Sequence, residues 1–172
     1  ADSSQYRGIE ARYDWRPLEG LRFSGAYTHI QAKYINFSDR TAAGFIVRDG
    51  KNVPNVPTDI MNLKVEYEHL PTGWGGWLEG NYFNSYFLNN SNTFGIPSYF
   101  IGTMNIHKNV EIKNRWIRFA KFFLQLDNIG DKKYAASGQV IGGETTAAAP
   151  PQQGLFSGYG RASYCGVTLG LF

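Results

Sequence analysis

Along most of this chain, apolar and polar side chains alternate one by one. Ile9, Ala11, Tyr13 and Trp15 interleave with Gly8, Glu10, Arg12, Asp14 and Arg16. A period of two places the two sets on opposite faces of a β-strand, one greasy and one wet. After the turn residues Pro17-Leu18-Glu19-Gly20, Leu21, Phe23, Gly25 and Tyr27 alternate with Arg22, Ser24, Ala26 and Thr28. This second strand is expected to run on to about Phe37, longer than the roughly 9–11 residues needed to cross a bilayer. Met61, Leu63, Val65 and Tyr67 oppose Asn62, Lys64, Glu66 and Glu68 in a third. Pro71-Thr72-Gly73 then makes a tight turn flanked by Trp74 and Trp77, a placement that suits an aromatic girdle. A fourth strand is expected from about Trp77 to Leu88, with Leu78, Gly80, Tyr82, Tyr86 and Leu88 on one face. The fifth, about Ser98 to Lys108, groups Phe100, Met104 and Ile106. The sixth groups Phe122, Leu124 and Leu126, and the last runs from about Tyr159 to Phe172.

The connections alternate in length. Short turns fall at Pro17–Gly20, Pro71–Gly73 and Glu111–Asn114. Longer polar loops fall at Ser38–Asp59, around Asn89-Asn90-Ser91-Asn92, and at Ser137–Gly158, which is rich in Gly, Ala, Thr, Pro and Gln. The prediction is an all-β fold of about seven antiparallel strands, with short turns at one end and long loops at the other. That is the layout of a transmembrane β-barrel. No segment shows a helical period.

Composition sharpens the picture. Aromatics make up 16% of the 172 residues and charged residues only 18%, below the roughly 25% of soluble domains. Mean hydropathy is nonetheless −0.35, as expected for strands with one apolar and one polar face. No apolar run is long enough for a membrane-spanning helix. The formal charge of +3 is spread along the chain, with no basic stripe of the kind nucleic acid requires. The N-terminal residues lack the basic and apolar regions of a signal peptide.

Candidate chemistry is sparse. His29, His69 and His107 lie on different segments, and the single Cys165 has no partner for a disulfide or a metal site. No metal site and no cofactor is expected. No nucleophile elbow or phosphate loop is present. Glu66 and Glu68 fit one wet wall better than an acid/base pair, which needs environments that separate two pKa values. The chain is not expected to be an enzyme.

The stretch Leu126-Asp127-Asn128-Ile129-Gly130-Asp131-Lys132-Lys133-Tyr134 resembles a C-terminal motif of TonB-dependent outer-membrane receptors. That motif reads aliphatic, any, Asn, aliphatic, any, Asp, Lys, any, Tyr. The Pro-containing segment Asn52–Pro57 and the terminal Phe172 resemble the family less specifically. The resemblance implies a receptor of the bacterial outer membrane for TonB-energised uptake of a scarce nutrient, foremost a ferric siderophore. It also implies that residues 1–172 are the C-terminal part of a 22-stranded barrel, with plug domain and earlier strands outside this chain. Implied partners are a small-molecule ligand, outer-membrane lipid and lipopolysaccharide, the TonB complex through an N-terminal segment, and the outer-membrane assembly machinery. Asn128, Asp131, Lys132, Tyr134 and Phe172 are expected to serve structure, Asn128 and Asp131 by bonding backbone where a strand opens into a loop. Ligand contact is expected from the long loops, at Phe45, Arg48, Asn89, Asn90, Asn92, Phe94 and Phe156, because aromatics stack and Arg pairs with anions.

One feature departs from the family. Gly166, Thr168 and Gly170 share parity with Phe172, whereas Cys165, Val167, Leu169 and Leu171 form the apolar set. A local bulge or an altered terminus would reconcile the two phases. Two other readings stay open on the residues alone: a small complete outer-membrane barrel with a structural or adhesion role, and a soluble β-sandwich that binds carbohydrate or protein.

Overall fold

The computed structural model describes residues 2–41, 44–112, 114–141 and 152–171. Among the described residues thirteen strands run in order: β1 (Ser3–Leu18), β2 (Leu21–Asn36), β3 (Ser38–Thr41), β4 (Gly44–Val47), β5 (Asp59–His69), β6 (Trp74–Phe83), β7 (Tyr86–Phe87), β8 (Gly95–Ile96), β9 (Tyr99–Glu111), β10 (Ile117–Asp127), β11 (Ala135–Ile141), β12 (Gln152–Ser157) and β13 (Ala162–Leu171). Seven of them form one antiparallel sheet in the order β1-β2-β5-β6-β9-β10-β13. The other six pair into hairpins, β3-β4, β7-β8 and β11-β12, each inside one of the long connections. The seven long strands match the seven read from alternation, with ends that shift by a few residues.

Register explains why the sheet has two unlike faces. Cross-strand rows such as Glu66–Trp77–Asn105–Gln125–Tyr164 carry polar and aromatic groups on one face. Neighbouring rows such as Val65–Leu78–Met104–Leu126 carry aliphatic groups on the other. A shift of one residue in any strand would exchange the faces, so the alternation itself fixes the pairing. Among the described residues no strand or helix packs on the apolar face, and Ile9, Trp15, Leu78, Phe122 and Leu169 are all exposed. Such a continuous apolar sheet face is what hydrocarbon requires and water does not tolerate.

The polar face is laced together. Arg22 pairs with Asp14 and, at 3.3 Å, with Glu66, which also meets Lys64 at 2.8 Å. Asn62 donates to Glu79 Oε1 at 2.9 Å and to Asn81 Oδ1 at 2.8 Å. His107 Nε2 lies 2.7 Å from Glu68 Oε1, close enough for an ion pair but outside hydrogen-bond geometry. Gly75 makes room for that pair, since a Cβ there would lie 2.6 Å from His107 Nε2.

The short turns sit together at one end. Gly20 and Gly73 adopt positive φ of 78° and 70°, which closes each turn tightly. Trp15, Tyr67 and Trp74 stand exposed beside these turns on the apolar face. The ammonium of Lys108 lies 5.4 Å from the centre of the Trp74 ring and donates to Thr72 O, so its stem covers apolar surface while its charge reaches the turn. Trp77 differs from the girdle expectation. It lies three residues from Trp74, an odd step, and so faces the polar side opposite Glu66 and Asn105.

The fourth strand also ends earlier than alternation suggests. Asn84 breaks it, donating to Thr58 Oγ1 at 2.7 Å and Asp59 Oδ2 at 2.9 Å while accepting from Ser85 N. Tyr86 and Leu88 therefore belong to a loop hairpin, where Leu88 is buried. In β13 the parity is unbroken. The register shift lies on its partner, between Ile117 and Phe119, and the glycines have a packing reason instead. Gly166 and Gly170 face the polar side, where the rings of Phe123 and Phe119 lie over them. Phe172 lies outside the described residues.

Candidate functional site

The long-loop end is where side chains converge. β3-β4, β7-β8 and β11-β12 all rise from it, and hydrogen bonds tie them to one another and to the sheet. Asn92, at φ 60°, accepts from Asn52 N at 2.7 Å and donates to Asn52 O at 2.9 Å. Asn55 N donates to Phe87 O at 2.8 Å. Asn90 accepts from Tyr34 OH at 2.9 Å and donates to Asp39 at 3.3 Å, joining the loop after β7 to β2 and β3. Leu88 packs against β11, where a Cβ on Gly138 would lie 2.5 Å from its Cδ1.

These contacts place the seven residues expected to meet ligand. Asn89 is buried and organises its own loop, accepting from Thr93 N and Phe94 N at 3.1 Å and donating to Ser91 and Thr93. Arg48 is also buried, 3.8 Å from Asp39. Asn90 and Asn92 tie loops together as described, and Phe94 is half-buried. Phe45 and Phe156 stand exposed, at 75% and 54%, on separate hairpins.

The Asn128–Tyr134 motif forms a compact knot at the same end. Asn128 is 2% exposed and sits at φ 48°, a conformation Asn tolerates better than most residues. Its amide donates to Lys132 O at 3.0 Å and Tyr159 O at 2.9 Å, and its Oδ1 accepts from Lys132 N at 2.8 Å. Asp131, also at φ 48°, accepts from Arg161 N at 3.1 Å. That backbone donor, with the Lys133 ammonium nearby, holds its carboxyl below the usual carboxylate range. Ile129 N donates to Gly102 O, which anchors the knot to β9. The Tyr134 ring meets Tyr99 in a tilted contact at 4.6 Å, Tyr99 stacks on Phe83 at 5.1 Å, and Gly158 passes directly beneath Tyr134. The motif thus joins the end of β10 to the start of β13 across thirty residues.

The polar face carries a recess of about 380 Å³ just below this knot. Thr103 and Ala162 leave its floor shallow, and Trp77, Glu79, Asp127 and Tyr164 wall it. Tyr134 and Tyr159 lie above, the second held through its carbonyl by Asn128. Sequence reasoning missed this site. Its parts come from β6, β9, β10, β13 and the knot, and no local spacing marks them. No cluster of ligating side chains suited to a metal occurs among the described residues.

With this geometry in view, comparison with known proteins is decisive. The family model for the TonB dependent receptor-like β-barrel matches residues 1–129. The chain belongs to that family. No curated protein sequence matches it. Among solved structures, TonB-dependent receptor barrels share its fold at low identity. The siderophore receptor PiuA from Acinetobacter baumannii is 20% identical with a TM-score of 0.75, over 96% of this chain and 22% of that one. The ferric yersiniabactin uptake receptor FyuA from Yersinia pestis is 16% identical with a TM-score of 0.70, over 97% and 23%. The ferric-catecholate import receptor Fiu from E. coli K12 is 15% identical with a TM-score of 0.68, over 99% and 21%. The chain spans about a fifth of the length of these structures. TonB-dependent receptor barrels lie in the bacterial outer membrane and are transporters rather than enzymes. The exposed apolar face of this one is therefore its lipid face, and its laced polar face looks inward.

Proposed function

We propose that this chain supplies part of the wall and mouth of a receptor for TonB-energised uptake of a scarce nutrient, foremost a ferric siderophore. The observation that carries the reading is the platform of three cross-tied hairpins at the long-loop end, which displays Phe45 and Phe156. Bonded loops hold exposed aromatics in place, so less ordering remains to be done when ligand arrives. Arg48, Asn89, Asn90 and Asn92 act there by shaping the platform, and Phe94 borders it. Lys132 and Lys133 stand exposed beside the knot, where lipopolysaccharide phosphates would meet them as point charges. The unpaired edges of β1 and β13 are costly in lipid and call for further strands, which supports a larger barrel.

The test uses the intact receptor in its host. Residues 38–47 are replaced by a short Gly-Ser linker, and binding and uptake of radioactive iron are measured with a panel of ferric siderophores. The expected result is loss of binding for one member of the panel with the barrel still assembled, and loss of its uptake in a strain without TonB. Wild-type binding across every siderophore that the unmodified receptor takes would contradict the proposal.

A further inference from the structure

The geometry points to the inward recess below the Asn128 knot as a binding site for a cationic group, an ammonium or guanidinium borne by the ligand. This deepens the uptake reading and rests on it. Four aromatic residues, Trp77, Tyr134, Tyr159 and Tyr164, share the lining of the recess with two carboxylates, Glu79 and Asp127. Ring faces carry negative quadrupole potential, so a cage of rings with a carboxylate attracts a cation and repels an anion. The carboxylates are already oriented. Glu79 Oε1 accepts from Asn62 at 2.9 Å and from Asn81 at 3.0 Å, and Asp127 Oδ1 accepts from Gln125 at 2.9 Å. Each keeps its second oxygen without a protein donor among the described residues. Among the described residues no Lys or Arg lines the recess. Lys64 sits 4.7 Å from the centre of the Trp77 ring and is engaged by Glu66 at 2.8 Å, while Lys132 and Arg161 adjoin the lining residues Asn128 and Ala162.

Tyr134 is wedged between Tyr99 and Gly158, and the backbone of Tyr159 is held through its carbonyl by the buried Asn128 while the residue itself is 87% exposed. Tyr164 stands across Gln125 from the other strands, in the same row as Trp77. The motif that closes the loop therefore also sets the roof of the recess. A cation entering here meets the free oxygens of Glu79 and Asp127 and the exposed Tyr159 and Tyr164, since Tyr99 and Gly158 cover the faces of Tyr134 and Lys64 covers one face of Trp77. An anionic chelate meets two carboxylates and no compensating charge, so the recess selects against polyanionic ligands.

Three small probes of one shape separate the charges. Benzamidine carries the cation, benzamide is neutral and benzoate is the anion. Their binding to the intact receptor in detergent is measured by saturation-transfer NMR and by Trp77 fluorescence against Trp77→Phe. The expected result is benzamidine held at least about tenfold tighter than benzoate, with benzamide between. That preference should vanish in the double variant Glu79→Gln, Asp127→Asn, whose β-sheet content is checked by circular dichroism. Equal binding of benzoate, a preference that survives in the double variant, or no benzamidine binding at saturating probe would each overturn the inference. The uptake assay is scored separately: a failed hairpin replacement refutes the receptor reading without touching probe selectivity, and failed selectivity leaves hairpin-dependent uptake intact.

Discussion

Replacing Asn128 by Ala removes three hydrogen bonds from a residue that is 2% exposed. Each such bond contributes a net of about 1 kcal/mol. The same substitution puts an L-residue without a bonding side chain at φ 48°, costing roughly 1 kcal/mol more. Lys132 is exposed and water can replace its lost partners, so the desolvation penalty is small there. The sum is about 3–4 kcal/mol of local stability, which corresponds to opening of the knot on the order of a hundredfold more often or above. Amide hydrogen exchange on the assembled receptor reads this directly. The expected outcome is faster exchange at residues 129–134 and 158–161, with the middles of β9 and β10 unchanged. Asn128→Asp keeps the acceptor for Lys132 N but turns a carboxylate oxygen toward the carbonyls of Lys132 and Tyr159 in a buried site, so it should open the knot at least as much as Asn128→Ala. Asn128→Gly relieves the backbone and still loses all three bonds, so it should recover only the conformational part. Unchanged exchange in Asn128→Ala would refute the claim that this side chain closes the loop.

Three more outcomes follow from the packing. Gly170→Ala places a methyl where the Phe119 ring lies and should destabilise the β10-β13 pair by about 1–3 kcal/mol, with much of the loss restored by Phe119→Ala in a denaturant-unfolding cycle. Gly20→Ala combines φ 78° with a clash on the Glu68 carbonyl and should slow assembly, read as less folded receptor on heat-modifiability gels, whereas Gly50→Ala, at φ 78° in open space, should show only the backbone cost of about 1 kcal/mol. Asp131 is held ionised by Arg161 N and Lys133, so its contribution is present above the usual carboxylate pKa near 4 and is lost as pH falls through its lower folded value. Exchange at the Arg161 amide should therefore speed up, relative to the unfolded reference, only below about pH 4.

How much of this was legible in the chain follows from what each part must satisfy. The seven long strands carry an apolar face to lipid and a polar face inward, so every residue of Leu21–Tyr27 or Met61–Glu68 is constrained and alternation reveals it. The loop hairpins are wet on both sides. Ser38–Thr41 and Ala135–Ile141 obey no such rule and read as loop, though backbone pairing makes them strands. Trp77 was misplaced for a related reason. Proximity to a turn suggested an interface aromatic, but parity with Glu66 sends it inward. The knot was visible because Leu126–Tyr134 resembles a motif of TonB-dependent receptors and Asn and Asp commonly bond backbone where a strand opens into a loop, whereas the bonds to Tyr159 and Arg161 some thirty residues on were not legible. The recess beneath it was not, because Glu79 and Tyr164 meet only through the register of four strands. Glycine counts were visible and their meaning was not: Gly166 and Gly170 looked like gaps in an apolar phase and are seats for Phe123 and Phe119.

The most direct test of the account is topology in living cells. In a Cys165→Ser background, single cysteines at Phe45, Phe156, Glu19 and Thr72 are probed with a membrane-impermeant maleimide. The account predicts labelling of Phe45→Cys and Phe156→Cys on intact cells, and of Glu19→Cys and Thr72→Cys only after the outer membrane is permeabilised. Labelling of the short-turn positions on intact cells, or protection of both hairpin positions, would contradict a barrel wall whose long hairpins form the outer mouth.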